Sequence, residues 1–253
     1  MRILILNWRD IKNNKSGGAE ILTHECAKRW VADGHEVVQI SEKYDGGLKE
    51  EIIDGVKIRR MGSADIRKGG VPVQAAAFWW YLKKKQENFD VVIDEIHGIP
   101  FFTPFYVKGK KVALICEVAD KIWDVIFPFP LNILGKFVER SYFKFYKKNL
   151  FLTISEASRK ELIMMGVERK KAIVVPMGIT IPDALRNYQK EKHPTIIFVA
   201  RLSKAKGIED AIHMIKIIAK TFPDIVLQVV GRGDDKYTKY LIFLSKKLGV
   251  SDR

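Results

Sequence analysis

Residues 198–207 read Phe-Val-Ala-Arg-Leu-Ser-Lys-Ala-Lys-Gly, and this stretch decides the fold class of the chain. A short apolar run leads to Arg201, Lys206 follows in the same loop, and Gly207 opens a helical pattern. A strand that passes through a loop into a helix is the repeating unit of an α/β fold. Two cations beside a helix N-terminus favour a bound anion, and a diphosphate suits such a place. An ordinary solvated loop between strand and helix is the alternative interpretation.

The same alternation of strand and helix runs through most of the chain. Runs such as Val91–Ile93 and Val112–Ile115 are apolar on both faces, as parallel strands covered by helices must be. We therefore expect an α/β fold with doubly wound parallel sheets. The predicted strands lie at 2–7, 35–41, 56–60, 90–94, 111–116, 150–154, 172–175, 195–200 and 225–230, and the predicted helices at 18–33, 72–86, 131–148, 156–165, 207–221 and 235–248.

The alternation is interrupted once, by a polar stretch without periodicity before residue 195. It predicts an N-terminal Rossmann-like domain at 1–183, a linker at 184–194 and the start of a C-terminal domain at 195–253. Two strand–helix units do not form a free-standing Rossmann domain, because both sheet edges would be unpaired. We expect the second domain to be truncated.

Composition narrows the class of partner. The 253 residues carry a formal net charge of +14, which favours nucleic acid, acidic lipid or a phosphorylated ligand, or reflects a lysine-rich surface. No helix-turn-helix, RNA-binding sheet or zinc signature is present, so we expect no nucleic-acid partner. The two cysteines match no metal or redox spacing, and no apolar run approaches the ~20 residues of a membrane span. These features predict a cytoplasmic protein.

Glycines follow two further predicted strands. Gly17 and Gly18 lie in the loop after the first strand, and Gly231 directly follows the strand at 225–230. Glycine lets backbone amides approach a ligand closely, although plain turns explain the same residues. The dinucleotide fingerprint G-x-G-x-x-G is absent here, which argues against an NAD or FAD enzyme.

Taken together, these segments resemble the retaining glycosyltransferases of family four. The resemblance covers the whole chain and implies two facing Rossmann-like domains of the glycosyltransferase B type, the second incomplete. It rests on Asn7–Asp10 with Gly17–Glu20, on Thr153–Ser158 against the family's T-V-S-E, on Val174–Ile179 against V-I-P-N-G-V, and on Ala200–Leu202 with Lys206–Gly207 against G-R-L…K-G.

The resemblance implies a hexosyltransferase that moves a sugar from a nucleotide-diphosphate donor to a glycan or lipid-linked acceptor. Gly17 and Gly18 would line the sugar-phosphate pocket, while Arg201 and Lys206, with Gly231 nearby, would hold the donor diphosphate. Fixed cations there would stabilise the negative charge that develops on the leaving group. The resemblance implies neither a cofactor nor a metal.

The sugar side of the site departs from the family. Many relatives carry a histidine after the fifth parallel strand, where this chain has Cys116 followed by Glu117. His97, after the preceding strand, is a further candidate for positioning the acceptor. We therefore name His97, Cys116 and Glu117 as candidate catalytic residues. A non-catalytic remnant, or a partner subunit that binds an anionic surface or a companion chain, is the alternative function.

Aromatic residues and lysines mix at 78–85 and 142–148. In the second segment, a helical pattern gives one apolar face to Leu131, Leu134, Val138, Tyr142 and Phe145, which predicts the core side of that helix. Together with residues 127–130 this region could dip into an anionic membrane interface, which would place the protein at the inner face of the membrane. Alternatively, the helices simply cover the sheet.

Overall fold

The computed structural model describes residues 1–63, 70–83, 88–120, 122–179 and 191–253. The chain forms two compact units, Met1–Gly178 and Ile179–Arg253. Most of the predicted linker at 184–194 and the end of the predicted helix at 72–86 lie outside the described residues.

The first unit is built on an eight-stranded sheet in the order β3-β4-β2-β1-β5-β6-β7-β8. The strands are β1 Arg2–Leu6, β2 Glu36–Lys43, β3 Glu50–Ile53, β4 Val56–Ser63, β5 Val91–Glu95, β6 Lys110–Leu114, β7 Leu150–Thr153 and β8 Ala172–Val174. Neighbouring strands pair in parallel, except that β3 pairs with β4 in antiparallel fashion. Strand β3 is not among the strands predicted from sequence, although Asp54 and Gly55, both with positive φ, form the hairpin turn that signals it.

Helices cover both faces of this sheet, as a doubly wound fold requires. They are α1 Gly18–Ala32, α2 Val73–Lys83, α3 Ile122–Ile126, α4 Leu131–Tyr146 and α5 Glu156–Met164. Along β1, Leu4 and Leu6 pack into a cluster with α2, while Ile3 and Ile5 join the cluster that contains Ala27 of α1. The α/β class predicted from sequence is therefore confirmed.

The prediction of which face of α4 packs in the core is wrong. Of the five apolar residues assigned to it, only Tyr142 is buried; the others, Leu131, Leu134, Val138 and Phe145, are exposed. The helix turns Gly135, Glu139, Tyr142, Phe143 and Tyr146 inward instead.

Trp123 accounts for this orientation of α4. A Cβ at Gly135 would lie 2.3 Å from the Trp123 ring, so only glycine permits the approach. The Glu139 carboxylate accepts hydrogen bonds from Trp123 Nε1 at 3.0 Å and from the Ala119 N–H at 2.8 Å. A charged residue therefore occupies the inward face because it has partners there.

The second unit contains β9 Thr195–Val199, α6 Ile208–Ile218, β10 Val226–Val230 and α7 Asp235–Lys247. The two strands are parallel neighbours, and Thr195 pairs with Val226. Both helices pack on one sheet face through a cluster that includes Ile212, Ile215 and Leu241. All four predicted elements are confirmed, with ends shifted by a few residues.

Candidate functional site

The first candidate site lies at the carboxyl edge of the large sheet, where β1, β5 and β6 end. Glu95, the last residue of β5, is buried there. One of its oxygens, Oε2, accepts hydrogen bonds from Asn7 Nδ2 and Thr23 Oγ1, both at 2.7 Å. The other, Oε1, lies 3.0 Å from His97 Nε2. Glu95 therefore joins the loop after β1, helix α1 and the loop after β5.

An aromatic stack extends this network. The Trp8 ring stacks on His97 with centroids 5.1 Å apart and planes 12° from parallel, and the Arg9 guanidinium covers Trp8 at 3.9 Å. Trp8 Nε1 donates to Glu20 Oε1 at 2.7 Å. The ring of His97 is thus held on one side by Glu95 and on its face by Trp8.

Gly17 and Gly18 start helix α1 at this edge. The Gly17 N–H donates to Glu20 Oε2 at 2.7 Å, so the helix already caps one amide with its own carboxylate. A Cβ at Gly18 would meet no atom within 4 Å, which shows that open space adjoins it. A phosphate here would meet the buried Glu20 charge as well as the helix dipole, whereas a hydroxyl group could donate to Glu20.

Cys116 and Glu117 follow β6 at the same edge. The carbonyl oxygen of Cys116 accepts a hydrogen bond from Ser158 Oγ at 2.8 Å, which fixes the backbone. Burial, with the charges of Glu95, Glu20 and Glu117, raises the pKa of the Cys116 thiol to about 12. The thiol is therefore protonated at neutral pH and can serve as a small neutral contact but not as a thiolate. Glu117 is exposed.

A buried ion pair anchors the loop after β1. Both side chains of the Asp10–Arg60 pair are fully buried, and Arg60 binds Asp10 through Nε at 2.7 Å and Nη2 at 2.8 Å. Burial raises the pKa of Asp10, but the hydrogen bonds and charge of Arg60 outweigh it and hold that pKa below its usual value. The Ser16 hydroxyl donates to the Asp10 carbonyl, so the pair braces the loop as far as the glycines.

The side chain of the neighbouring residue in β5, Asp94, lies on the opposite face of the sheet from Glu95. It accepts hydrogen bonds from the Phe101 N–H at 3.0 Å, from Thr103 Oγ1 at 2.8 Å and from the Tyr146 hydroxyl. Burial raises the pKa of Asp94 despite these bonds. Asp94 therefore anchors the segment after His97 rather than facing a ligand.

The second candidate site lies at the carboxyl ends of β9 and β10. The loop after β9 runs beside the loop after β10, since the Ala200 N–H donates to the Val230 carbonyl at 3.1 Å and the Leu202 N–H to the Arg232 carbonyl at 2.8 Å. A Cβ at Gly231 would lie 1.8 Å from the Ala200 carbonyl oxygen. Glycine at 231 therefore permits the contact that shapes the Arg201 loop.

The loops after β9 and β10 carry four exposed cations: Arg201, Lys204, Lys206 and Arg232. Within residues 191–253 none of them forms an ion pair. Gly207, with φ 72°, is the N-cap of α6 and offers no side-chain acceptor to the first turn. The first amides of α6 and the cations thus present a surface suited to an anion. Glu209 and Asp210 in the first turn offset part of the positive charge.

The residues of the cationic loop are predicted from sequence, whereas much of the first site is not. Glu20 and Glu95 were not named as site residues, because nothing local distinguishes them from other carboxylates. The position of Glu95 at the end of a parallel strand was the available signal, since such edges hold binding sites in this fold class. In the described part of the chain, no cluster of histidine, cysteine and carboxylate side chains could hold a metal ion.

Comparison with known proteins identifies this architecture. A model of Glycosyltransferase Family 4 matches residues 16–181, and one of glycosyl transferases group 1 matches residues 182–253. A search of curated proteins found no match.

Solved structures of glycosyltransferase B proteins share the fold. Sucrose-phosphate synthase from Thermosynechococcus elongatus superposes with a TM-score of 0.74 at 15% identity, covering 100% of this chain and 69% of that one. HepE from Anabaena, in complex with UDP-glucose, superposes with a TM-score of 0.67 at 17% identity, covering 100% of this chain and 67% of HepE. A glycosyltransferase from Rickettsia africae superposes with a TM-score of 0.66 at 17% identity, covering 99% of this chain and 66% of that one. The predicted glycosyltransferase B fold is thereby confirmed, and the chain spans about two thirds of each neighbour.

Proposed function

The chain belongs to glycosyltransferase family 4, and we propose that it transfers a hexose from a nucleotide-diphosphate donor, with retention of anomeric configuration, to a glycan or lipid-linked acceptor. The UDP-glucose complex of HepE supports a nucleotide-sugar donor. We assign the protein to the cytoplasm, at the inner face of the membrane. Among the described residues, no helix is both long and apolar enough to span a bilayer.

The observation that carries the proposal is the cationic loop between β9 and α6. Arg201 and Lys206 stand beside a helix start that lacks a side-chain cap. Departure of the sugar leaves negative charge on the diphosphate, so cations fixed at that point stabilise the transition state more than the ground state. This loop supplies the charge that a metal ion would otherwise provide, and we propose a metal-free reaction.

The first site suits the sugar or the acceptor rather than the diphosphate. Its buried carboxylates, Glu20 and Glu95, are hydrogen-bond acceptors, and sugar hydroxyl groups are donors. His97 is fixed by Glu95 and Trp8 and would orient a hydroxyl group at the edge of this network. Cys116, as a neutral thiol, and the exposed Glu117 remain candidates for contacts to the transferred sugar.

Hydrolysis of the donor tests this proposal. The chain would be incubated with UDP-glucose and, in parallel, with guanosine and adenosine analogues, and release of nucleoside diphosphate would be measured. We expect release with one donor and a loss of at least tenfold in Arg201→Ala, because one charge-assisted hydrogen bond contributes roughly 1.5–3 kcal/mol. Lys246→Ala, an exposed lysine on α7, is the matched control. Folded protein without any release would favour the non-catalytic alternative.

A further inference from the structure

Helix α4 presents an apolar surface to solvent. The outward side chains are Phe129, Ile133, Leu134, Phe137, Val138 and Phe145, which we call the α4 surface; their exposed fractions are 76%, 55%, 57%, 68%, 42% and 52%. Phe129 precedes the helix and the others lie on it. The opposite side of α4 is fixed in the core by Glu139 and Tyr146, so the helix cannot rotate to bury these residues.

The charges on the same side of α4 are positive. Lys144 follows Phe137 by seven residues and therefore continues its stripe toward the C-terminal end of α4, and Lys148 follows two residues beyond the helix end at Tyr146. Both are exposed, as is Lys147, and none of the three forms an ion pair with the described residues. Cations nearer the helix start differ, since Lys136 pairs with Asp124 at 2.5 Å and Arg140 with Asp120 at 3.1 Å.

Exposed phenylalanines beside unpaired lysines distinguish between two partners for the α4 surface, a second copy of the chain and a lipid bilayer. A second copy of the chain would bring the unpaired lysines of both copies toward the same interface, where they would repel one another or face phenylalanine. A bilayer that contains anionic lipid offers acyl chains to the phenylalanines and phosphate groups to the lysines. The net charge of +14 adds attraction to such a surface.

We propose that the α4 surface docks on an anionic lipid bilayer, with Phe129 and Phe137 inserted at the interface and Lys144 and Lys148 on the headgroups. The contact is peripheral, because α4 contains only the residues Leu131–Tyr146 and one of its faces stays in the protein core. The proposal does not depend on transferase activity, since the α4 surface shares no residue with either candidate site.

Vesicle co-sedimentation tests the proposal. The full chain would be mixed with vesicles of phosphatidylcholine and phosphatidylglycerol in equal parts, and with vesicles of phosphatidylcholine alone, at low and at physiological salt. We expect binding to the anionic vesicles that weakens as salt rises. Phe129→Ser/Phe137→Ser and, separately, Lys144→Glu/Lys148→Glu should each weaken partitioning by about tenfold or more.

Matched variants in the second unit serve as controls. Ile217→Ser removes an apolar side chain that is 67% exposed on α6, and Lys246→Glu/Lys247→Glu makes the same change in net charge on α7. Both should bind anionic vesicles like the original chain. Equal binding by the Phe129/Phe137 variant, or equal loss in the control pairs, would overturn the proposal. A dimer in sedimentation velocity that the phenylalanine variant dissociates, without vesicle binding, would assign the surface to a second copy instead.

Discussion

Replacing Arg60 by methionine tests the account of how the loop after β1 is held. The change leaves the Asp10 carboxylate, fully buried, without its cation. Asp10 keeps hydrogen bonds from Ser41 Oγ at 2.9 Å and from the Lys12 N–H at 3.0 Å, but loses both bonds from Arg60. Breaking a buried pair by removing one partner costs about 3–5 kcal/mol. The two hydrogen bonds that Asp10 keeps favour the lower end of this range. We therefore expect the free energy of unfolding to fall by about 3 kcal/mol at pH 7.

The pH dependence of this loss follows from Asp10. In the original chain the pKa of Asp10 is held below its usual value, so its contribution to stability is present above the unfolded pKa and is lost in acid. Without Arg60, burial should raise that pKa, and the folded variant should regain stability as pH falls and the carboxyl group takes up a proton. The difference in free energy of unfolding between the two proteins should therefore narrow toward pH 4.

Urea denaturation at pH 7 and at pH 4 measures both quantities. Arg140→Met is the matched control, because Arg140 pairs with Asp120 at the surface and its loss should cost less than about 1 kcal/mol. A loss in Arg60→Met no larger than in this control would refute the account of the loop. A large loss that is the same at both pH values would show that the cost comes from packing rather than from an unpaired Asp10.

Two further predictions concern single residues at the candidate sites. Gly231→Ala would place a Cβ 1.8 Å from the Ala200 carbonyl oxygen, and we expect overpacking at this loop junction to cost roughly 1–3 kcal/mol, measured by urea denaturation; an unchanged midpoint would contradict the close contact. Cys116, whose pKa is raised to about 12, should react with iodoacetamide at pH 8 about a thousandfold more slowly than a free thiol of ordinary pKa. Peptide mapping by mass spectrometry measures that rate, and alkylation at the free-thiol rate would contradict the protonated state.

The fold could be predicted from sequence because its strands are short, apolar and separated by helix-length segments. Val91–Ile93, for example, is apolar on both faces and proves to be part of a central parallel strand. The strand Glu50–Ile53 is harder to predict, because it is only four residues long and does not alternate apolar and polar residues, so that the Asp54–Gly55 turn is its only clear signal.

The orientation of α4 could not be predicted in the same way. The periodic apolar face of this helix lies mostly in solvent, so periodicity alone identifies the wrong face as the buried one. The choice is made by Trp123 and Glu139, whose contact joins two helices across a loop. The core therefore takes a carboxylate, while Phe137 remains in solvent.

The two candidate sites differ in how far they can be predicted from sequence. The cationic loop at Arg201 and Lys206 is contiguous in sequence, and its residue types show the chemistry directly. The network of Glu95 with Asn7, Thr23 and His97 depends on which strands become neighbours in the sheet. Such contacts follow from sheet order, which short-range patterns do not encode.

Binding of uridine diphosphate, measured by titration calorimetry, tests the central claim most directly. The claim is that Arg201 and Lys206 hold a diphosphate at the start of α6. We predict saturable binding to the original chain, and an affinity at least tenfold lower in Arg201→Ala/Lys206→Ala, since each charge-assisted bond contributes roughly 1.5–3 kcal/mol. The control pair Lys246→Ala/Lys247→Ala should bind like the original chain. Equal affinity in all three proteins would contradict the claim, because the diphosphate would then be held elsewhere.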